Sequence, residues 1–137
     1  MKCLVTGGAG FIGSNIVEAL LARGEEVTVL DNFTTGLKTN LPDNKNLNVI
    51  TGDVLDLDLV KSCVQNIDVV FHLAAEVGNL KSFQDPQRDA RVNILGTINI
   101  LQSAVASGTK RVVYSASSAI FGEPQYLPID EPHPIAP

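Results

Sequence analysis

Apolar positions along the 137 residues fall into short runs separated by helical patterns. Cys3, Leu4 and Val5 form the first run, which stops at a glycine cluster. Behind it Ile12, Ile16 and Leu20 recur at i, i+4 and i+8 with Ala19 beside them, which predicts one apolar helix face. Gly24 closes that helix. A second run, Val27, Val29 and Leu30, ends at Asp31. The polar stretch from Asn32 to Asn46 reads as a long loop with one short helical turn. Leu47, Val49 and Ile50 predict a third strand, closed by Thr51-Gly52-Asp53-Val54, and Asp56 is placed to cap a helix from Leu57 to Val64. Val69 to Leu73 reads as a continuous buried strand, as in a parallel sheet.

From Asp85 the pattern turns helical for a long way. Ile94, Ile98, Leu101 and Val105 mark its packed face, and Gly108 ends it. Gly96 inside that helix costs about 1 kcal/mol against alanine, so it marks close contact with the sheet or a ligand. Asn93, one turn earlier, is either a satisfied core amide or part of a site. Arg111 to Tyr114 predict the last strand, and the prolines beyond Gly122 exclude helix or central strand there. Strands alternating with helices predict one α/β domain over residues 1–137, a doubly wound, mostly parallel sheet with right-handed crossovers. Ligands of such sheets bind beyond the carboxyl ends of the strands. The glycine turn, Asp31, Asp53, His72 to Ala75 and Ser115 to Ser118 all fall there.

Composition narrows the function classes. With 45% hydrophobic and 18% charged residues the chain is expected to be globular. Ten bases against fifteen acids give a net charge of −5, and without a Lys/Arg cluster nucleic acid and anionic membrane are poor partners. Cys3 and Cys63 lack metal-ligand or disulfide-motif spacing and are expected to be buried free thiols, in keeping with a cytoplasmic protein. The chain opens directly on a core strand, so no signal peptide is expected. No metal site is expected.

The chemistry lies in the glycines. Gly8, Gly10 and Gly13 satisfy G-x-G-x-x-G, and Gly7 adds a second phasing. A strand that ends in a tight glycine turn brings the unpaired N–H groups of a helix start towards an anion. Asp31 lies 18 residues beyond Gly13, where a dinucleotide fold needs an acid for the adenosine ribose. Its carboxylate would repel a 2′-phosphate, and no base stands between it and Gly36, so NAD is favoured over NADP.

In these segments the chain resembles the extended short-chain dehydrogenase/reductases, specifically the NAD-dependent nucleotide-sugar epimerase/dehydratases. Thr6-Gly7-Gly8-Ala9-Gly10-Phe11-Ile12-Gly13 is similar to that family's glycine motif. Asp31-Asn32-Phe33-Thr34-Thr35-Gly36 resembles its ribose-binding turn, and Gly52-Asp53-Val54 its adenine-holding segment. His72-Leu73-Ala74-Ala75 resembles the motif lining the middle of the cofactor, and Asn93 to Thr97 the helix motif with a structural asparagine. Ser115 to Gly122 resembles the strand end that carries an active-site hydroxyl, here Ser117.

The resemblance implies a Rossmann cofactor domain and transient oxidation of a nucleotide sugar at carbon 4, with NAD taking and returning the hydride. Ser117 would hold the reacting oxygen. Ser118 and Ala119 stand where dehydratases and decarboxylases of the family carry acids, which favours a 4-epimerase of the UDP-glucose or UDP-N-acetylglucosamine kind. The family's Tyr-x-x-x-Lys pair is missing: neither Tyr114 nor Tyr126 has a lysine four residues on. The chain is therefore expected to be the cofactor half of a longer, homodimeric enzyme and to turn over no sugar alone. A dehydratase or reductase of the same family, or a non-catalytic NAD-binding module, remain the alternatives. His72 is expected to be a packed core histidine and His133 a solvated one, while Glu76 and Val77 receive no role.

Overall fold

Each apolar run pairs in parallel with its neighbours, because a helix or long loop carries the chain back between them. In the computed structural model, which describes residues 1–137, the strands are β1 (Lys2–Thr6), β2 (Glu26–Asp31), β3 (Leu47–Thr51), β4 (Val69–His72) and β5 (Arg111–Tyr114). They lie in the order β3-β2-β1-β4-β5, all parallel. The order runs outward in both directions from β1. The crevice between β1 and β4 is thus the point where crossovers switch sides.

Alternation along β1 divides the core. Cys3 and Val5 face α1 (Phe11–Ala22) and pack with Val17, Leu20, Leu21, Val27 and Val29. Leu4 faces the other layer, with Leu30, Val70, Val60 and Cys63 from α2 (Leu57–Cys63), and Ile100 from α5 (Thr97–Ser107). Two short helices, α3 (Asn79–Gln84) and α4 (Pro86–Ala90), and a π-helical segment, Arg91–Gly96, fill the connection from β4 to α5. Asp56 caps α2 as expected, accepting the Leu59 N–H at 3.1 Å. Asp85 caps α4 in the same way, through the Arg88 N–H at 2.9 Å. No helix is long and apolar enough to cross a membrane.

Three expectations about packing are corrected. In α1 the buried stripe is Gly13, Val17, Leu20 and Leu21, whereas Ile12 is 57% exposed and Ala19 is exposed. Ile12 belongs to the first turn, which projects past the strand ends. In the long helix the stripe Ile94, Ile98, Leu101 and Val105 faces outward, with Val105 82% exposed. The face turned inward carries Val92, Gly96, Asn99, Ile100, Ser103 and Ala104. Small side chains allow a closer approach than the bulky stripe would: a Cβ on Gly96 would come within 2.6 Å of Val54. Periodicity identifies a face, but not which neighbour it meets. The β4 run, finally, is buried at Val70 and His72 but only half-buried at Val69 and Phe71, because α1 lies against β1 and β2.

His133 is the fourth correction. It is 3% exposed, not solvated. Its Nε2 accepts the Gln125 N–H at 3.1 Å, and its Nδ1 donates to the Pro134 carbonyl at 2.9 Å. Phe121 and Tyr126 pack on its ring at centroid distances of 5.4 and 4.6 Å. Prolines deprive this loop of backbone donors, and one imidazole closes it instead.

Cys3 and Cys63 are buried and unpaired, and burial pushes both thiols up. His72, 2% exposed, bonds Thr6 Oγ1 through Nδ1 and Thr97 Oγ1 through Nε2. Burial pushes its imidazole down to about 4. An unfolded chain takes up that proton below about pH 6.5, whereas the folded chain refuses it until about pH 4. Stability therefore falls as pH drops through that window, by about 3 kcal/mol in all. In urea titrations from pH 7 to pH 4, His72→Asn should show a shallower loss than the parent chain. Equal slopes would contradict a buried neutral imidazole.

Candidate functional site

All five strand ends open into one cavity of about 760 Å³. A smaller hollow of about 410 Å³ lies at the opposite, amino-terminal edge of β2 and β3, away from the glycine turn. The large cavity is therefore the candidate site.

Its floor is the turn between β1 and α1. Gly7 takes a left-handed φ of +68° and lies so close to the end of β4 that a Cβ would meet the Ala74 nitrogen at 2.8 Å. Gly13 leaves no room for a side chain either, since a Cβ there would run into the Gly7 carbonyl oxygen. The turn is closed by Gly10 N–H to Gly7 O at 3.1 Å. α1 then begins with no side-chain cap and no acid in its first turn. The N–H groups of Phe11, Ile12 and Gly13 have no acceptor in the chain. Three free amides at the positive end of a twelve-residue helix can together hold an anion. Phe11, 85% exposed, and Ile12 flank it as apolar walls.

Two carboxylates stand beyond the glycine turn. Asp31, buried at the end of β2, accepts the Ala9 N–H at 2.9 Å through Oδ2 and the Phe33 N–H at 2.8 Å through Oδ1. One acceptor site on each oxygen is left for a ligand hydroxyl. Asp53 accepts from Asn32 Nδ2 at 3.0 Å and from the Leu55 N–H at 3.0 Å, which holds the turn after β3. Asn99 of α5 steadies the same turn from below by donating to the Val54 carbonyl at 3.0 Å. Gly36 returns the long loop to the glycine turn, where Leu37 N–H and Asn40 Nδ2 both bond Ala9 O.

Opposite them, Leu73, Ala74 and Ala75 form a small-residue wall, and Ser115 to Ser117 line the end beyond β5. Ser117 Oγ accepts the Ala119 N–H at 3.2 Å, so its own hydrogen is free for a ligand oxygen. Asn93 clamps the wall beyond Ala75: Oδ1 accepts the Glu76 N–H at 2.9 Å and Nδ2 donates to the Glu76 carbonyl at 3.0 Å. The Glu76 carboxylate is paired with Arg88 Nε at 3.0 Å and Lys81 Nζ at 3.6 Å. Asp89 accepts from Asn93 Nδ2 at 3.2 Å.

The cavity thus brings together Gly7, Gly10, Phe11, Ile12, Gly13, Asp31, Asn32, Thr35, Gly36, Asp53, Val54, Leu73 to Ala75, Asn93, Ser115 and Ser117. Phe33 and Thr34, expected with them, lie outside its lining. The Phe33 ring turns instead to Lys38, whose Nζ stands 5.3 Å from the ring centroid. Sequence inspection missed Asn40 and Asn99, and it left Glu76 without a role. For Asn99 the signal was a polar residue in a helix between apolar positions, which requires a partner.

The sequence and the fold both have known relatives. A model of the NAD dependent epimerase/dehydratase family matches residues 3–137. The UDP-glucose 4-epimerase of Mycolicibacterium smegmatis is 37% identical over 142 residues, covering 100% of this chain and 45% of that protein. A UDP-N-acetyl-alpha-D-glucosaminuronate decarboxylase of Bacillus cytotoxicus is 40% identical over 123 residues, 89% of this chain and 38% of its own length. The solved structure of the Thermus thermophilus UDP-glucose 4-epimerase complexed with NAD has a TM-score of 0.85 at 40% identity, covering 100% of this chain and 45% of that one. The chain spans less than half the length of these relatives. With the family model matched over nearly every residue and the fold shared with an NAD complex, the chain belongs to the NAD dependent epimerase/dehydratase family, and NAD is its cofactor.

Proposed function

We propose that residues 1–137 are the cofactor-binding half of an enzyme that inverts carbon 4 of a UDP-hexose, UDP-glucose to UDP-galactose in type. The observation that carries this reading is the layout of the one cavity. Free helix amides and two pre-held carboxylates lie towards β2 and β3, and an unused serine hydrogen lies beyond β5.

The donors fit NAD. Gly7, Gly10, Phe11, Ile12 and Gly13 would seat the diphosphate, while Asp31 and Asn32 would take the adenosine ribose. Asp53 and Val54 would border the adenine, and Leu73, Ala74, Ala75 and Ser115 would border the nicotinamide half. Bound there, NAD supplies reversible hydride exchange with the sugar. Ser117 would donate its hydrogen to the oxygen on carbon 4 and so fix which carbon faces the cofactor.

Ser118 and Ala119 offer no acid after Ser117, and the two acids that line the cavity from the connection after β4 are already engaged. Glu76 is paired with Arg88 and Lys81, and Asp89 with Asn93. Elimination or decarboxylation needs a free acid or base there, so epimerisation is favoured. The similarity to a decarboxylase keeps net chemistry as the second reading. Tyr126 does not supply a base: its hydroxyl donates to Asp130 at 2.7 Å, which pushes the phenol up. The tyrosine and lysine that move the proton are assigned to the part of the enzyme beyond Pro137. The outward stripe Ile94, Leu95, Ile98, Leu101 and Val105 is assigned to a second copy of the chain.

The enzyme containing residues 1–137 should interconvert UDP-glucose and UDP-galactose without added NAD, and the 137-residue chain alone should not. Stoichiometric NADH release, or a need for added cofactor, would favour the second reading. Asp31→Ala should weaken NAD binding by about 10- to 100-fold, the worth of hydrogen bonds to a charged group, and narrow the preference over NADP. Unchanged affinity for both in calorimetry would remove Asp31 from the ribose site. Leu101→Glu should shift the enzyme from dimer to monomer in sedimentation velocity; an unshifted dimer would place the interface elsewhere.

A further inference from the structure

Two threonines determine where His72 carries its proton. Thr6 Oγ1 accepts the Ala74 N–H at 3.2 Å and lies 3.3 Å from the Leu73 nitrogen. Its own hydrogen is therefore directed at His72 Nδ1, 2.7 Å away. On the other side, Thr97 gives its hydrogen to the Asn93 carbonyl at 2.7 Å. Its oxygen is left to accept from His72 Nε2 at 3.1 Å. Both ends demand the same tautomer, with the proton on Nε2. Every hydrogen in the series points one way, from the Ala74 amide through Thr6, His72 and Thr97 to Asn93.

The two ends of this series hold the two ends of the short wall that follows β4. Gly7, at the diphosphate seat, lies against the same Ala74 nitrogen that Thr6 holds. Asn93, at the far end, grips the Glu76 peptide by both its N–H and its carbonyl. We propose that His72 is a positioning residue, a one-way hydrogen-bond relay that ties the Ala74 amide beside the glycine turn to the Asn93 clamp on Glu76, and so sets the course of the wall that runs between them. Apolar packing would also hold an imidazole at this place, but it would be indifferent to the direction of the hydrogens. A directed series is not: reversing or removing one member leaves a buried donor or acceptor unmatched along its length.

The test needs no dinucleotide, so its outcome is separate from that of the functional reading above. In this chain, Thr6→Val keeps the volume of residue 6 and removes the hydrogen given to Nδ1. The Glu76 amide should then exchange with deuterium about tenfold faster, the worth of one net hydrogen bond, with β1 and α1 amides little changed. The ¹⁵N spectrum of His72 should go from a single Nε2–H form to a mixture, and Thr6→Ser should restore both readouts. If Thr6→Val does not fold, Thr97→Val puts the question from the other end, with the Ala74 amide as the reporter. An Nδ1–H imidazole in the parent chain would overturn the proposal. So would an unmoved Glu76 amide, or acceleration spread evenly over β1 and α1.

Discussion

The contact on which the site rests is the close approach of the first glycine turn to the end of β4. With Gly7 against the Leu73–Ala74 backbone, there is no space at the switch point for a side chain. That closeness lets α1 start directly over the strand ends, so that its first amides look into the cavity and not into solvent. A larger residue would push the turn away from β4 and rotate the helix start with it. The rest of the cavity is arranged around this fixed floor. Ala9, the next residue but one, is held by the Asp31 carboxylate through its N–H and by Leu37 and Asn40 through its carbonyl.

The electrostatics follow from the same economy of partners. A chain with a net charge of −5 builds a site for an anionic ligand without placing a free cation in it. The attraction comes from unpaired backbone amides and the helix dipole. The cavity's carboxylates are kept from opposing it by being bonded: Asp31 and Asp53 to backbone amides, Glu76 to Arg88 and Lys81, Asp89 to Asn93. Each is thereby fixed in place as well, so a ligand hydroxyl meets an oriented acceptor and not a mobile one.

Much of this was legible in the chain because it is local. Strand runs, the glycine turn, the cap at Asp56 and the acid ending β2 depend on residues near one another in sequence, and they lie where the pattern put them. The failures concern which partner a face meets. The Ile94 to Val105 stripe has good helical spacing, yet Gly96, Asn99 and Ala104 pack inward, because close approach to Val54 and the turn after β3 needs small or hydrogen-bonding groups. His133 was misjudged for a similar reason. A proline-rich loop looks solvated in sequence, but its few backbone donors and acceptors must still be matched, and the loop folds back so that its own Phe121 and Tyr126 wall in the imidazole. Phe33 and Thr34 were grouped with the site because the whole segment from Asp31 to Gly36 resembles a ribose-binding turn; of that segment, Asp31, Asn32, Thr35 and Gly36 line the cavity.

Membership of the family does not by itself choose a reaction, since proteins 37% and 40% identical to this chain carry the names of an epimerase and a decarboxylase. What differs between such reactions is the supply of acids and bases at the sugar, not the cofactor seat. In this chain the end of the cavity beyond β5 presents a serine with a spare hydrogen and no unengaged carboxylate. A hydroxyl of this kind can orient a sugar oxygen but cannot drive a net elimination. The half of the cavity contained in residues 1–137 therefore offers an orienting hydroxyl and no free acid or base at that end, and it is this chemistry, more than any fold-level likeness, on which the proposed epimerisation rests.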